Sequence, residues 1–580
     1  MEWNRMQNSE YSRLLSETAD LMEIAGEDPF RIRSYRTAAG AIEGYPGSID
    51  ELAGDIKKLT EIPGIGKGIA AALAEIRERG SFERRDHLLE KYPPTALEML
   101  KIQGLGPKGI AQIIEHFRVT TVDGLEKLCR EHKLRELPRM GAKLEEKILK
   151  SIAAYRQSAG RFLLNFAAET AAELEAHLQE LRSVEAVAHA GSLRRARETV
   201  GDLDLLAVTA KPDEVLEKFV QHPKVTEVLG KGENKASVRV GVEGFQVDLR
   251  ALPKQSYGAA LQYFTGSKNH NVSLRTRALK MGFSLNEYGL FKLNTDDRVA
   301  GETEEEIYNA LGLAWIPPEL RENQGELEAA ERGELPLLVE LSDIRGDLHM
   351  HTRESDGRAT LEEMAAAARQ QGYEYIAITD HSKALAMANG LDEKRAIAFA
   401  HRVREMDQSG LGIRVFSGIE CDIRRDGSMD LNDEALAQLD VVIASVHSYM
   451  SMEAAEMTDR LLRALENPHV KILGHPTGRV LLHRDGYPFD FELVAREAAR
   501  RGVALEINAS PERLDLHGTL ARTAKACGAR FTISTDAHHP KHLANMRYGV
   551  WTARRGWLER TDILNAASAE DFLKALRQPQ

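Results

Sequence analysis

The chain has 580 residues, too many for one hydrophobic core, so three or more domains are expected. With 43% hydrophobic and 29% charged residues it has the balance of a soluble globular protein, and no apolar run is long enough to cross a bilayer. The net charge of −12 argues against nucleic-acid binding by global charge, yet Lys101–Gly160 holds twelve Lys/Arg against seven Asp/Glu. Lys268–Lys280 holds four basic residues and no acid. Local faces set phosphate contact, although a solvated helix face is the commoner source of such excesses.

The polar N-terminal stretch MEWNRMQNSEYSRLLSE has no secretion signal, and Cys129, Cys421 and Cys527 share no C-x-x-C spacing. A reduced, cytoplasmic protein is the expectation. Residues 1–155 read as helical, with apolar positions three and four apart. Leu59–Ile76 and Leu100–Phe117 share an apolar residue, a spacer, G-[IL]-G and a helix, and Glu136–Ile152 is a degraded third copy. A Gly-x-Gly turn lets backbone N–H groups approach phosphate oxygens, and the helix that follows presents its N-terminus to the anion. One such turn is a plain connection; two good copies point to DNA binding without sequence preference. They resemble helix-hairpin-helix motifs, with Gly64, Gly66, Lys67, Gly104, Gly106 and Lys108 at the DNA. That resemblance implies a monovalent cation on the carbonyls of Thr60, Ile62 and Ile65 and of Leu100, Ile102 and Leu105.

From Arg161 to Leu313 helices alternate with short strands. The segment Ala190–Leu206 ends in Asp202 and Asp204, two apart on a strand and so on one face, and Asp248 in FQVDLR lies on a later strand that can pair beside it. Three carboxylates can hold two magnesium ions that activate a hydroxyl and steady a leaving pyrophosphate. A lone D-x-D is a weak signal; G-S-x(9)-D-x-D followed by V-D-L-R is much more specific. Ile316–Ile344 is acidic and loosely helical and reads as a linker. Beyond it, strand-like runs alternate with helices, predicting a parallel α/β domain, a distorted barrel. At the ends of those strands stand His349, His351, Asp356, Asp380, His381, Glu420, His447, His475, Asp536 and His538. Any one histidine there is most simply a hydrogen-bonded core residue. Five or more converging form a ligand set for Zn²⁺, Mn²⁺ or Fe²⁺.

Positions 1–315 resemble family X DNA polymerases, through PFRIRSYRTAAGAIEGYP, both hairpins, GSLRR…GDLDLL, VDLRALPKQSYGAALQYFTGS and GFSLNEYGL. Residues 343–580 resemble a PHP phosphoesterase domain, a pairing typical of bacterial enzymes. The resemblance implies catalysis by Asp202, Asp204 and Asp248, and nucleotide contacts from Gly191, Ser192, Arg195, Tyr263, Phe264, Gly266 and Asn271. Arg250 and Arg275 would be template or switch contacts. The nine metal ligands would be His349, His351, Asp356, His381, Glu420, His447, His475, Asp536 and His538, with Glu420 bridging. Arg479 is a phosphate anchor or a structural ion pair. Where many relatives carry a Schiff-base lysine for 5′-deoxyribose phosphate stands Ala72, so that lyase activity is not expected, apart from a weak contribution of Lys67.

The expected architecture is an all-α helix-hairpin-helix region, an α+β nucleotidyltransferase-type palm and a C-terminal α/β barrel. The boundaries are 1–90 (DNA-binding, first hairpin), 91–160 (fingers-type), 161–253 (palm), 254–315 (nascent-base-pair subdomain), 316–342 (linker) and 343–580 (PHP). The expected function is gap-filling DNA synthesis in repair with Mg²⁺ or Mn²⁺. The PHP site adds a 3′–5′ exonuclease holding two to three ions, Mn²⁺ favoured over Zn²⁺ or Fe²⁺, with abasic-site cleavage or 3′-end cleaning besides. Partners would be gapped or nicked DNA with a 5′-phosphate and dNTPs, for a cytoplasmic, nucleoid-associated monomer. The rivals are an inert PHP support, a non-catalytic DNA-end scaffold, and a small-molecule phosphoesterase.

Overall fold

The computed structural model describes residues 6, 8–43, 49–102, 104–138, 140–158, 160–408 and 412–577, divided into two compact units, Met1–Ala159 and Gly160–Gln580. The end of the PFRIRSYRTAAGAIEGYP segment (residues 44–46), Gln103 of the second hairpin and Arg139 of the third copy lie outside the described residues. Among the described residues no helix is long and apolar enough to cross a membrane.

The first unit is helical around two cores. In the first hairpin, Ile56–Thr60 and Lys67–Arg79 flank the turn, and Leu59, Ile65, Ile69, Leu73 and Ile76 bury together at helical spacing. The second hairpin, Thr95–Met99 and Pro107–Phe117, buries Met99, Ile102, Leu105, Ile110 and Ile114 in a separate cluster. Gly64 (φ +94°) and Gly104 (φ +99°) take backbone angles that a Cβ would strain.

The second unit begins with a two-stranded ribbon, β1 (Phe162–Leu163) with β3 (Thr199–Val200), and a five-stranded sheet. The sheet comprises β2 (Val184–His189), β4 (Leu203–Thr209), β5 (Val225–Lys231), β6 (Lys235–Val240) and β7 (Phe245–Leu252), in the order β2-β4-β7-β6-β5. Along β7 burial alternates: Phe245, Val247, Leu249 and Ala251 enter the core under helices Leu164–Gln179 and Pro212–Val220, while Gln246, Asp248 and Arg250 face away. Helices Tyr257–Thr265 and Lys268–Lys280 and a small sheet of β8 (Phe283–Asn286), β9 (Gly289–Lys292) and β10 (Arg298–Ala300) follow.

The last seven strands are all parallel and lie in chain order: β11 (Gly346–Asp347), β12 (Tyr375–Ile378), β13 (Arg414–Asp422), β14 (Val441–Ser445), β15 (Ile472–Leu473), β16 (Ala504–Asn508) and β17 (Phe531–Ser534). A parallel bridge between Met350 and Ala537 joins the extensions of the first and last strands, nearly closing a barrel. Alternate residues of one strand enter different clusters, Tyr375 and Ala377 one and Ile376 and Ile378 another, as strands buried on both faces require.

The stretch expected as a linker is packed. Arg321, fully buried, forks onto Glu304 at 2.6 and 3.0 Å, and the buried Glu326 lies 2.7 Å from His270 Nδ1. The barrel also touches the palm directly, for Leu514 and Tyr548 are part of the palm's hydrophobic core.

Candidate active sites

Strands β4 and β7 run parallel with Asp204 and Asp248 in direct register, so both carboxylates project from one face; Asp202 stands just before β4. Burial, then the charges of Asp202 and Asp248, push the Asp204 carboxyl up to about 6. Asp248 is held below its usual range: burial opposes this, but hydrogen bonds from Lys235, Ser237 and Gln246 outweigh it. Lys235 Nζ lies 2.5 Å from Asp248 Oδ2. Gly191 (φ +61°) takes left-handed backbone, and a Cβ there would sit 2.9 Å from Asp204 Oδ2, so a side chain would be strained and would press on that carboxylate. Crowded, partly buried carboxylates that raise one another's proton affinity are what divalent cations relieve, and these residues fit such ions.

An open cleft of about 730 Å³ adjoins them, lined by Gly191, Ser192 and Arg195 on one side and Tyr263, Phe264, Gly266, Asn271 and Arg275 on another. Arg195 is held by Glu322 at 3.1 Å from Nε and by the Thr265 carbonyl at 2.5 Å from Nη1. Asn271 donates to the Tyr263 carbonyl (2.7 Å) and accepts from Gln262 (2.7 Å). Arg250 stacks on Phe264 at 4.3 Å, beside this cleft.

In the barrel, six of the seven strands carry the expected ligands at or just beyond their C-terminal ends. His349 and His351 follow β11, His381 follows β12, Glu420 lies near the end of β13, His447 and His475 follow β14 and β15, and Asp536 and His538 follow β17. Glu420 is the hub: Oε2 lies 2.8 Å from His381 Nδ1 and 3.4 Å from His349 Nε2, and Oε1 2.8 Å from His475 Nε2 and 3.3 Å from His447 Nε2. Asp536 Oδ1 is 3.1 Å from His351 Nε2, and Asp356 lies 3.6 Å from His381 and 3.4 Å from His538. His475 (φ +27°) and Asp536 (φ +54°) occupy left-handed backbone that their side chains disfavour, strain that surrounding structure must hold.

The donors fit metal ions. His351 Nδ1 and His475 Nδ1 are buried without a hydrogen-bond partner, an arrangement proteins otherwise avoid. Three sets could each hold an ion: His351, Asp356, His381 and His538; His349, His351 and Asp536; and His381, Glu420 and His447. Without cations the carboxylates hold protons on their neighbours. Burial opposes it, yet Glu420 and Asp356 raise His381 to about 10, and Glu420 and Asp422 raise His447 to about 9. His351 falls to about 3 through burial and the proximity of His538 and His381.

Residues that the motifs did not single out orient this set. Glu506 Oε1 lies 2.7 Å from His349 Nδ1 and Glu506 Oε2 accepts from the His475 backbone N–H (2.7 Å), while Asp422 lies 2.5 Å from His447 Nδ1. Such carboxylates fix tautomer and ring orientation. An acid within the apolar run VALEIN was the available signal for Glu506. Asp380 is in none of these three sets and instead ties down the 352–355 loop, accepting from the N–H and hydroxyl groups of Thr352 and Ser355. Arg479 is spent on the Arg513 and Leu514 carbonyls and on Glu198 (3.4 Å), the structural one of its two expected roles.

In the helical unit, the helices Lys67–Arg79 and Pro107–Phe117 are preceded by Gly66 and Gly106, which supply no side-chain cap, and Lys67 and Lys108 are both exposed. The Ile62 and Ile102 carbonyls accept from Ile65 and Leu105 within each turn (3.1 and 3.2 Å). Ala72 is buried in the hairpin core.

Family models for a helix-hairpin-helix domain match residues 6–82, for a SAM-like helix-hairpin-helix tandem 96–154, for a DNA polymerase beta thumb 260–322 and for a PHP domain 347–510. A probable phosphatase of Syntrophotalea carbinolica is 31% identical over 240 residues, 39% of this chain and 95% of that relative. A solved ternary P/T complex of Leishmania infantum polymerase beta aligns at 21% identity over 40% of this chain and 99% of that one, with a TM-score of 0.27. The DNA polymerase/3′-5′ exonuclease PolX of Bacillus subtilis (strain 168) is 37% identical over 573 residues, 98% of this chain and all of the relative. Aligned from end to end with that enzyme, and matching the thumb and PHP models beside its two acidic sites, the chain belongs to the PolX family of family X DNA polymerases joined to a PHP domain.

Proposed function

We propose that this chain is a DNA-directed DNA polymerase that fills short gaps during repair and a 3′–5′ exonuclease that trims the ends it meets. The carrying observation is that both acid sets converge in one compact unit: Asp204 and Asp248 in register beside the cleft, and the histidines and acids around Glu420. Asp202, Asp204 and Asp248 would hold Mg²⁺ or Mn²⁺, whose charge favours the ionised primer 3′-hydroxyl and offsets that of the leaving pyrophosphate. The chain itself binds and orients: the Gly191–Ser192 backbone and Arg195 take the triphosphate, Tyr263, Phe264, Gly266 and Asn271 border the sugar and base, and Arg250 and Arg275 meet the template. Gly64, Gly66 and Lys67, and Gly104, Gly106 and Lys108, contact the DNA backbone, with a monovalent cation on the carbonyls of Thr60, Ile62, Ile65, Leu100, Ile102 and Leu105.

In the PHP site His349, His351, Asp356, His381, Glu420, His447, His475, Asp536 and His538 would hold two to three ions, Mn²⁺ above Zn²⁺ or Fe²⁺, which supply a water-derived nucleophile and neutralise phosphoryl oxygens. Glu506 and Asp422 hold two imidazoles in orientation, while Asp356 and His538 stay partly exposed at the open side of the cluster. Cleavage at abasic sites and cleaning of damaged 3′ ends fall within the same chemistry. Ala72 gives no lyase nucleophile. We assign the domains as 1–90, 91–160, 161–253, 254–315, 316–342 and 343–580, in a monomer acting on gapped or nicked DNA and dNTPs in the bacterial cytoplasm at the nucleoid.

Extension of a primer across a one-nucleotide gap, alongside shortening of a labelled 3′ end, tests the proposal. Asp202→Ala should abolish the first and His349→Ala the second. No incorporation by the wild type refutes the polymerase reading, and shortening that survives His349→Ala refutes the nuclease reading.

A further inference from the structure

We propose that the C-terminal domain supplies a positioning residue to the polymerase site: Arg555, acting through Glu322, sets the direction of the Arg195 guanidinium in the nucleotide cleft. The inference rests on the polymerase reading above.

Arg195, which lines the cleft, is gripped at two of its three nitrogens, Nε by Glu322 and Nη1 by the Thr265 carbonyl, and Nη2 takes part in neither contact. A guanidinium is a planar fork, so two fixed donors set its plane and aim the third. Glu322 is itself held from the far domain. Arg555, at the end of helix Met546–Arg555, places Nη1 3.1 Å from the same Glu322 Oε1 and donates to the Arg195 backbone carbonyl at 2.6 Å. All three side chains are largely buried, with 14%, 17% and 10% exposure for Arg195, Glu322 and Arg555. Arg197 Nη1 stands 3.8 Å from the same oxygen. Burial works against the Glu322 charge, but Arg195, Arg555 and Arg197 outweigh it and hold the carboxyl below its usual range. Glu322 is therefore an anion with more than one cation beside it, and Arg555 keeps it fixed when Arg195 also meets a triphosphate.

A neighbouring residue of the same helix provides the control. Arg554, the residue just before it, is engaged elsewhere: it pairs with Glu319 at 2.6 Å and donates to the Val339 carbonyl at 3.2 Å. Loss of general docking would affect variants at both positions, whereas the relay involves Arg555 alone.

The test is single-nucleotide gap filling by the full-length protein, with KM for dNTP and kcat measured separately for the wild type and for Arg555→Met, Arg555→Lys, Glu322→Gln, Arg554→Met and the Arg555→Met/Glu322→Gln pair. Carboxylates that orient metal-binding side chains cost roughly 10- to 100-fold when removed, and the low end of that range is the scale taken for a carboxylate that orients a guanidinium. Arg555→Met and Glu322→Gln should each raise KM by roughly that factor with a smaller change in kcat, and the pair should cost little more than either alone. Arg555→Lys should recover part of the loss, Arg554→Met should match the wild type, and 3′-end shortening should be unaltered throughout. If Arg555→Met does not fold, Glu322→Gln decides by itself. An unchanged KM in Glu322→Gln, or an equal rise in Arg554→Met, overturns the inference. Failure of the wild type to incorporate a nucleotide refutes instead the function on which it rests.

Discussion

Replacing Asp204 by asparagine should abolish nucleotide incorporation and yet make the metal-free protein more stable at alkaline pH. Burial and the charges of Asp202 and Asp248 move its carboxyl from 3.8 to about 6. At 1.36 kcal/mol per pH unit this corresponds to roughly 3 kcal/mol, reduced in practice by local relaxation to about 1–3 kcal/mol. The sign follows from proton uptake. The folded state holds this proton more tightly than the unfolded chain, so the favourable contribution is complete below pH 3.8, declines as pH rises towards 6, and is absent above that. Asparagine fills nearly the same volume with no charge to bury. In chelator at pH 8 Asp204→Asn should therefore exceed the wild type by about 1–3 kcal/mol, and at pH 4 the two should nearly coincide. Saturating Mg²⁺ should stabilise the wild type more than the variant, because only the wild type has the full set of charges to relieve. Urea unfolding, with hydrogen exchange of Leu203–Thr209 and Phe245–Leu252 to identify the palm's transition, measures the difference. A variant no more stable than the wild type at pH 8, or equally shifted at pH 4 and pH 8, would refute the electrostatic argument.

Glu506→Gln should lower metal affinity at the PHP site by roughly 10- to 100-fold, because it weakens the group that orients His349; titration calorimetry with Mn²⁺ reads this, and unchanged affinity would deny Glu506 that role. Metal binding near pH 7 should release protons and tighten as pH rises towards about 9–10, since His381 (about 10) and His447 (about 9) are protonated in the metal-free cluster. Their raised values give the metal-free fold stability that is complete below the ordinary histidine value of about 6.5 and lost through that same alkaline range, so chelated protein should weaken there. Calorimetry in two buffers of different ionisation enthalpy counts the protons, and zero release contradicts the expectation. Lys67→Ala with Lys108→Ala should weaken binding to gapped DNA at every sequence and reduce the slope of log affinity against log salt by about two, one for each phosphate no longer neutralised. An unaltered slope would place both lysines away from phosphate.

Much of both sites could be read in the sequence because their residues come in short motifs bound to strand ends. Asp202 and Asp204 sit two apart, His349 and His351 likewise, a spacing that marks each pair even though Asp202 precedes β4 and both histidines follow β11. The supporting charges were harder to see. Glu506 meets His349 from 157 residues away, and Arg555 Nη1 meets Glu322 from 233 residues away, so each looks locally like an ordinary acid or base. The stretch 316–342 shows the limit most plainly. Its acids and Arg321 have the composition of a solvated linker, but burial of a charge depends on its partner, and Glu304 and His270 lie in earlier segments. Asp380, equally prominent beside His381, is occupied by Thr352 and Ser355, a choice that spacing cannot reveal.

The barrel's strands lie side by side in chain order, and its ring is brought together through the bridge between Met350 and Ala537. During synthesis from the N-terminus the palm's aspartates are therefore laid down first, and the trimming centre stays open on one side until Asp536 and His538 emerge. A chain interrupted before that strand has the carboxylates for building DNA but an incomplete cup for degrading it. Completion of the metal cluster is thereby tied to near-completion of translation, and so is the palm's core, which takes in Tyr548.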